Sequence, residues 1–213
     1  MYLSAFNLDR RSNSVRQCLA NSHDMHRTIM SGFGQFEGKN PRETAGVLYK
    51  LDTTGRDIKL YVSSIEEPIW DYIENMGFIK IGVKNITEVK ESLLKGRIYS
   101  FNLLAYPSKK ETREGKISHR LPLKTTEERI EWLNRKAEQN GFEVQWARED
   151  ENINVYVKQS KNGVSTIHSG VRFRGVLYVQ NEELFQKAFK EGVGAGKSYG
   201  FGMLILFAVG GAL

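Results

Sequence analysis

Cysteine is all but missing from this chain: Cys18 is the only one in 213 residues. A single thiol excludes an intrachain disulfide and a cysteine-rich zinc module, and it leaves Cys18 as a small buried side chain. Long apolar runs are missing too. The last one, Met203 to Val209, is too short to span a bilayer and reads as a core strand. The chain does not open on a basic region followed by a long apolar one, so the signal-peptide pattern is absent. These absences point to a cytoplasmic protein with no membrane association. There is no HExxH helix and no paired-carboxylate site, so no local pattern calls for a metal or another cofactor.

What is there is enough apolar material for a core, and a positive balance. Hydrophobic residues make up 40% of the chain and the formal charge is +6. Such a charge permits a nucleic-acid partner without establishing one, so the placement of the basic residues matters more than their total.

The organising stretch is Asn21 to Arg27. It sets His23 and His26, two of the four histidines, three residues apart, with Arg27 beside the second. The following Thr28-Ile29-Met30 favours a helix, on which residues three apart share a face. Two imidazoles in one small volume supply a base to remove one proton and an acid to deliver another near neutral pH. With Arg27 to meet an anion, the group suggests acid–base chemistry on a phosphodiester. The alternative is a solvated helix start whose histidines only cap or pack.

Taken in order, Tyr2 to Leu8 reads as a strand and Val15 to Ala20 as a short helix. Ser22 or Asp24 caps the histidine helix, which ends near Gly32. Phe33 to Thr44 reads as a loop. Val47 to Leu51 and Ile58 to Ser63 are strands joined by a turn over 52–57. Pro68 opens a helix that Gly77 stops, and a strand follows between Phe78 and Val83. Asn85 to Lys95 is a polar crossing or hinge. Ile98 to Tyr106 is the longest strand signal of the middle region. The basic residues from Lys109 to Arg120 then lie on a glycine-containing loop, either ordinarily solvated or a mobile flap over an anionic polymer. Thr125 and Glu128 form a capping box for an amphipathic helix that Gly141 stops, with Trp132 in the core. Phe142 to Trp146 and Ile153 to Lys158 are two strands, 160–163 a turn, Val171 to Val179 a strand and Glu182 to Lys190 a helix. Arg172 and Arg174 are two apart, hence on one strand face. With Lys158 and Lys161 they form a strip suited to phosphates, or a plain cationic face. His119 and His168 are isolated and read as facing solvent. Each half brackets helices with strands. The expected fold is α+β, with two consecutive ferredoxin-like (RRM-like) domains over 1–88 and 89–213.

Gly192 to Gly202 holds Gly196-Lys197-Ser198, which invites a nucleotide-binding reading. The phosphate-loop pattern needs a glycine at 191, where Glu191 stands, and here a helix precedes the stretch and a strand follows it. ATP or GTP binding is therefore rejected. Two readings remain: an exposed backbone loop that meets phosphate through N–H groups and Lys197, or a structural turn.

Several segments carry a family resemblance. They are Met1-Tyr2-Leu3-Ser4, Asp24 to Ile29, Val47 to Leu51, Tyr99 to Lys109, Phe173 to Leu177 and Gly192 to Leu204. In this order and spacing the chain resembles the CasE class of the Cas6 superfamily, the CRISPR repeat-RNA endoribonuclease of type I-E Cascade. That resemblance implies two ferredoxin-like domains and recognition of a repeat-RNA hairpin. It implies cleavage at the hairpin's 3′ base by metal-independent attack of a 2′-hydroxyl, giving 2′,3′-cyclic phosphate and 5′-hydroxyl ends. It implies retention of the mature crRNA, assembly with other Cascade subunits, a monomer outside Cascade, and no cofactor. His26 falls on the family's catalytic histidine. His23 stands where a tyrosine is usual, and either replaces the phenol in proton transfer or orients RNA. Arg27 falls on a phosphate contact. The implied RNA-backbone contacts are Gly194, Gly196, Lys197 and Ser198, with Lys109, Lys158, Lys161, Arg172 and Arg174 for the hairpin. The competing readings are a noncatalytic hairpin-binding Cascade subunit and a generic RNA-binding assembly protein.

Overall fold

The computed structural model describes residues 1–34, 41–53, 57–111, 119–158 and 165–209. Two four-stranded antiparallel sheets, each with helices on one side, organise the chain into an α+β fold.

The first sheet holds β1 (Tyr2–Leu8), β2 (Leu48–Asp52), β3 (Lys59–Ser64) and β4 (Phe78–Asn85) in the order β2-β3-β1-β4. Its helices are α1 (Asn13–Ala20), α2 (Ser22–Met30), α3 (Pro41–Ala45) and α4 (Asp71–Glu74). Alternate residues of β1 point to the helices. Phe6 and Leu8 are buried against Met25, Ile29, Trp70 and Phe78. Trp70 is the keystone. Its ring meets Phe6 edge-on at 5.3 Å and Phe33 at 5.4 Å, and its indole N–H donates to Ser4 Oγ at 2.8 Å. That bond satisfies the one polar group that burying the indole would otherwise strand.

The second sheet holds β5 (Ile98–Ala105), β8 (Phe142–Lys158), β9 (Ser165–Val179) and β10 (Leu204–Ala208) in the order β10-β5-β9-β8. It packs against α6 (Thr126–Gln139) and α7 (Glu182–Glu191), through Trp132, Leu133, Phe173 and Phe185. The predicted capping box of α6 forms, with Thr125 Oγ1 accepting from Glu128 N. In each sheet the first and third strands are central and the second and fourth are at the edges. Along the chain, α5 (Thr87–Glu91) follows the first sheet and precedes the second, and it packs on α7.

Several expectations need correction. The cap of α2 is Asn21, whose Oδ1 accepts from His23 N at 3.2 Å, not Ser22 or Asp24. Part of the expected loop over Phe33–Thr44 is the helical turn α3, with Pro41 in its first turn. The helix after Pro68 is only Asp71–Glu74, and the polar crossing holds α5. The two ends of the basic stretch pair as strands, β6 (Ser108–Glu111) with β7 (His119–Pro122), while residues 112–118 of the expected loop lie outside the described residues. The strands placed at Phe142–Trp146 and Ile153–Lys158 are one strand, β8, with register shifts at Val144/Trp146 and Glu149/Glu151. His168 is half-buried, edge-on to Tyr106 at 5.0 Å and stacked on Tyr199 at 5.1 Å, not turned to solvent. The expected turns over 52–57 and 160–163 fall wholly or partly outside the described residues.

The two halves meet beside α2. The glycine stretch after α7 contains a short 3-10 turn, Lys197–Tyr199, which packs on α2 and β2. Tyr49 Oη donates to Ser198 O at 3.4 Å. At the start of α2, Asn21 receives the N–H of Lys158 at 3.0 Å and donates to its carbonyl at 3.2 Å. One side chain thus caps the histidine helix and grips the end of β8.

Candidate nucleic-acid interface

The chemistry-bearing residues gather where α2 faces the glycine stretch. Met25 and Ile29 bury one stripe of α2 in the first core, which turns His23 and His26 toward the junction, each half-buried. Burial pushes the His26 imidazole down to about 4, helped by the Arg42 guanidinium and then by His23. His26 is therefore neutral at pH 7. Its Nδ1 is buried and has no hydrogen-bond partner among the described residues. Arg27 projects elsewhere. It is 67% exposed, 3.9 Å from Asp24, and lines a separate depression with Cys18, Thr28 and Tyr72.

Opposite His26 stands the loop. Gly194 and Gly200 adopt φ of +88° and +85°, in the left-handed region, and a Cβ there would lie 3.0 Å from the rings of Trp132 and Tyr49, respectively. Both backbone angle and space thus require glycine at these two positions. The loop lets Gly194, Gly196, Lys197 and Ser198 line one cavity of about 370 Å³ together with Arg42 of α3. Burial lowers the Lys197 ammonium below the usual lysine range, and Arg42 lowers it further, against Glu191 and Glu43. Tyr49 is buried, which pushes its phenol up.

Beyond Lys197 a larger groove of about 580 Å³ opens between the β6–β7 hairpin and helices α6 and α7. Lys109, Lys110 and Arg120 line it from the hairpin, Arg135 and Lys136 from α6, and Lys187 from α7. Glu191 is the one carboxylate among the described lining residues. Burial, Arg135 and Arg120 lower the Lys136 ammonium. Cations crowded to this degree repel one another, and a polyanion relieves that repulsion.

The structure therefore sets the helix of His23 and His26 against the loop that carries Gly194, Gly196, Lys197 and Ser198, and Lys109 lines the groove that Lys197 borders. Lys158 adjoins the start of α2 through its backbone. Arg172 and Arg174 are not part of this group. Arg172 is 8% exposed and bonded to Glu151 Oε2 at 3.2 Å and Asn102 Oδ1 at 3.3 Å, while Arg174 meets Asp150 at 2.7 Å. Lys161 lies outside the described residues. Sequence reasoning missed Arg42, which carries no local signal, and Arg135, Lys136 and Lys187. Those three stood in plain view on the polar faces of two amphipathic helices. Among the described residues, no three His, Cys, Asp or Glu side chains gather as they would to hold a metal ion, and no helix is long and apolar enough to cross a membrane.

Paired imidazoles at the junction of two helix-backed sheets, next to a cation-lined groove, define a two-sheet α+β protein with a basic surface beside its histidine helix. More narrowly, the chain belongs to the CRISPR-associated protein family, whose model matches residues 1–207. It is similar to the CRISPR-associated endoribonuclease Cse3 of Thermus thermophilus, at 27% identity over 96% of this chain and 98% of that protein. It also matches a structure of CRISPR endoribonuclease Cse3 bound to a 19-nucleotide RNA, at 27% identity and a TM-score of 0.83, over 97% of this chain and 100% of the other. The fold is shared with the CRISPR-associated protein Cas6e from Escherichia coli, at 23% identity and a TM-score of 0.70, over 98% of this chain and 100% of that one. The resemblance to the CasE class read from the sequence thus holds along nearly the whole chain.

Proposed function

We propose that this chain is a CRISPR repeat-RNA endoribonuclease that cuts precursor RNA at the 3′ base of a repeat hairpin. The observation that carries this reading is the pair His23 and His26 on one face of α2, packed against the loop that borders the basic groove. Similarity to an RNA-bound Cse3 over almost the full length supports it. The groove takes the hairpin's backbone through its cations, since A-form duplexes are met mainly through phosphates and 2′-hydroxyls. Neutral His26 takes the proton of the 2′-hydroxyl. The 2′-oxygen then attacks the adjacent phosphorus, and the bond from phosphorus to the 5′-oxygen breaks. His23 delivers a proton to that 5′-oxygen. The products are a 2′,3′-cyclic phosphate and a 5′-hydroxyl, and no step requires a metal. Two ferredoxin-like domains, 1–88 and 89–213, carry the site between them. The mature crRNA stays bound for assembly with Cascade subunits.

Incubation with the neighbouring array's repeat RNA in EDTA tests this, followed by analysis of the product ends. Cyclic phosphate is expected, as is loss of cleavage when the scissile nucleotide carries hydrogen at its 2′ position. Cutting of the deoxy substrate would reject the internal attack. Because His23 stands where the family usually has tyrosine, a second reading is a hairpin-binding subunit without activity. Tight binding with no cleavage, with or without added metal, selects it.

A further inference from the structure

We infer that Arg42 and Lys197 together form a phosphate-binding cavity, and that Arg42 is a cation that meets the reacting phosphodiester. The inference rests on the endoribonuclease reading above and adds to it a residue and a subsite.

The geometry is specific. Arg42 is only 15% exposed. Its Nη1 donates to Val47 O at 3.1 Å and its Nη2 lies 3.4 Å from Glu43, so the guanidinium is held in one place before any ligand arrives. It lines the 370 Å³ cavity with Lys197 and the backbone of Gly194 to Tyr199. Two partly buried cations share that cavity: burial disfavours the charge of both, and Arg42 further disfavours that of Lys197, while Glu43 and Glu191 offset this. An entering phosphate relieves the repulsion and meets N–H donors already in position. Arg42 also acts on His26 through space. Arg27, by contrast, is exposed and lines a different depression, with Tyr72.

The role follows. As the 2′-oxygen closes on phosphorus, negative charge builds on the two non-bridging oxygens. A planar guanidinium matches two oxygens at once, and its charge also keeps His26 unprotonated and able to accept the 2′-proton. Other charged or titratable groups on elements packed against α2 include Arg16 and Cys18 on α1, Tyr156 and Lys158 on β8, and Lys197 and Tyr199 on the loop, with Tyr49 on β2 and Glu43 beside Arg42 close by.

The test has two independent readouts on the full chain. The first is proton NMR of the histidine rings, with His26 assigned through His26→Ala, titrated with pH and with inorganic phosphate. In Arg42→Gln, which keeps a donor for Val47 O but loses the charge, His26 is expected to titrate at higher pH and to stop responding to phosphate. Arg42→Lys is expected to restore the low titration point. The second is single-turnover cleavage of the repeat hairpin. Arg42→Gln should slow it about 100-fold with hairpin affinity little changed, the loss typical of removing a donor aimed at developing charge. Unchanged His26 titration and phosphate response in Arg42→Gln overturn the inference, whatever happens to RNA. If the wild type shows both NMR effects but cuts no RNA, the endoribonuclease reading falls and the cavity stands. Should Arg42→Gln fail to fold, Glu43→Gln serves in its place. Removing that carboxylate should strengthen the phosphate response, and an unchanged or weaker response overturns the inference.

Discussion

At the scale of single residues, His26 combines three properties that rarely coincide in a merely structural histidine. It is half-buried, its buried Nδ1 has no partner among the described residues, and it sits beside a fixed cation. Desolvation and like charge both favour the neutral ring, which is the form a general base needs. Replacing His26 by alanine should slow cleavage by about 10²–10⁴-fold, the usual contribution of positioned proton transfer, while hairpin binding persists. The sign of the pH dependence follows from the lowered value. A ring that takes up its proton only near about 4 stays basic through pH 7 and pH 5. The acid limb of the single-turnover rate should therefore fall close to that value, below the ordinary histidine range. Should the limb fall instead at an ordinary histidine value, His26 would not be the base. His23 is the more open of the two roles, and the two residues differ in what surrounds them rather than in chemistry.

At the scale of elements, the glycine stretch positions the site because its backbone angles and its neighbours both exclude side chains. Gly200→Ala places a Cβ 3.0 Å from the Tyr49 ring at a φ of +85°. It should cost about 1–3 kcal/mol of stability, visible as a lowered urea midpoint, and should move the turn off α2 and so reduce cleavage. A variant with wild-type midpoint and rate would show that the loop does not hold the site. What could be read from the sequence sorts by range. The histidine face was legible, because three-residue spacing on a helix is a local rule. So was the α6 capping box, for the same reason. The unity of β8 was not, since its middle, Arg148 to Asn152, is polar and broken by register shifts on an edge strand. The β6–β7 hairpin was hidden by its charge, as the four residues of Ser108–Glu111 carry no apolar alternation. Arg42 was invisible, because its proximity to His26 comes from packing between distant segments. Arg172 misled in the opposite way: strand parity gave its face correctly, but only the partner strand reveals Glu151 beside it.

At the scale of the whole molecule, charge is distributed unevenly, and the groove between the hairpin and the two helices concentrates it. Binding of a repeat hairpin should weaken steeply with salt. Replacing Lys109, Arg135 and Lys187 by alanine should flatten the plot of log affinity against log salt by about 0.7–0.9 for each phosphate no longer neutralised. Filter binding across a salt series measures this, and an unchanged slope would move the hairpin to another surface. The join between the halves also has a temporal side. The imidazoles lie near the start of the chain and the turn that faces them near its other end, so synthesis delivers them far apart in time. Each half has a core of its own, so the contact between α2 and the turn can form only once both sheets are in place.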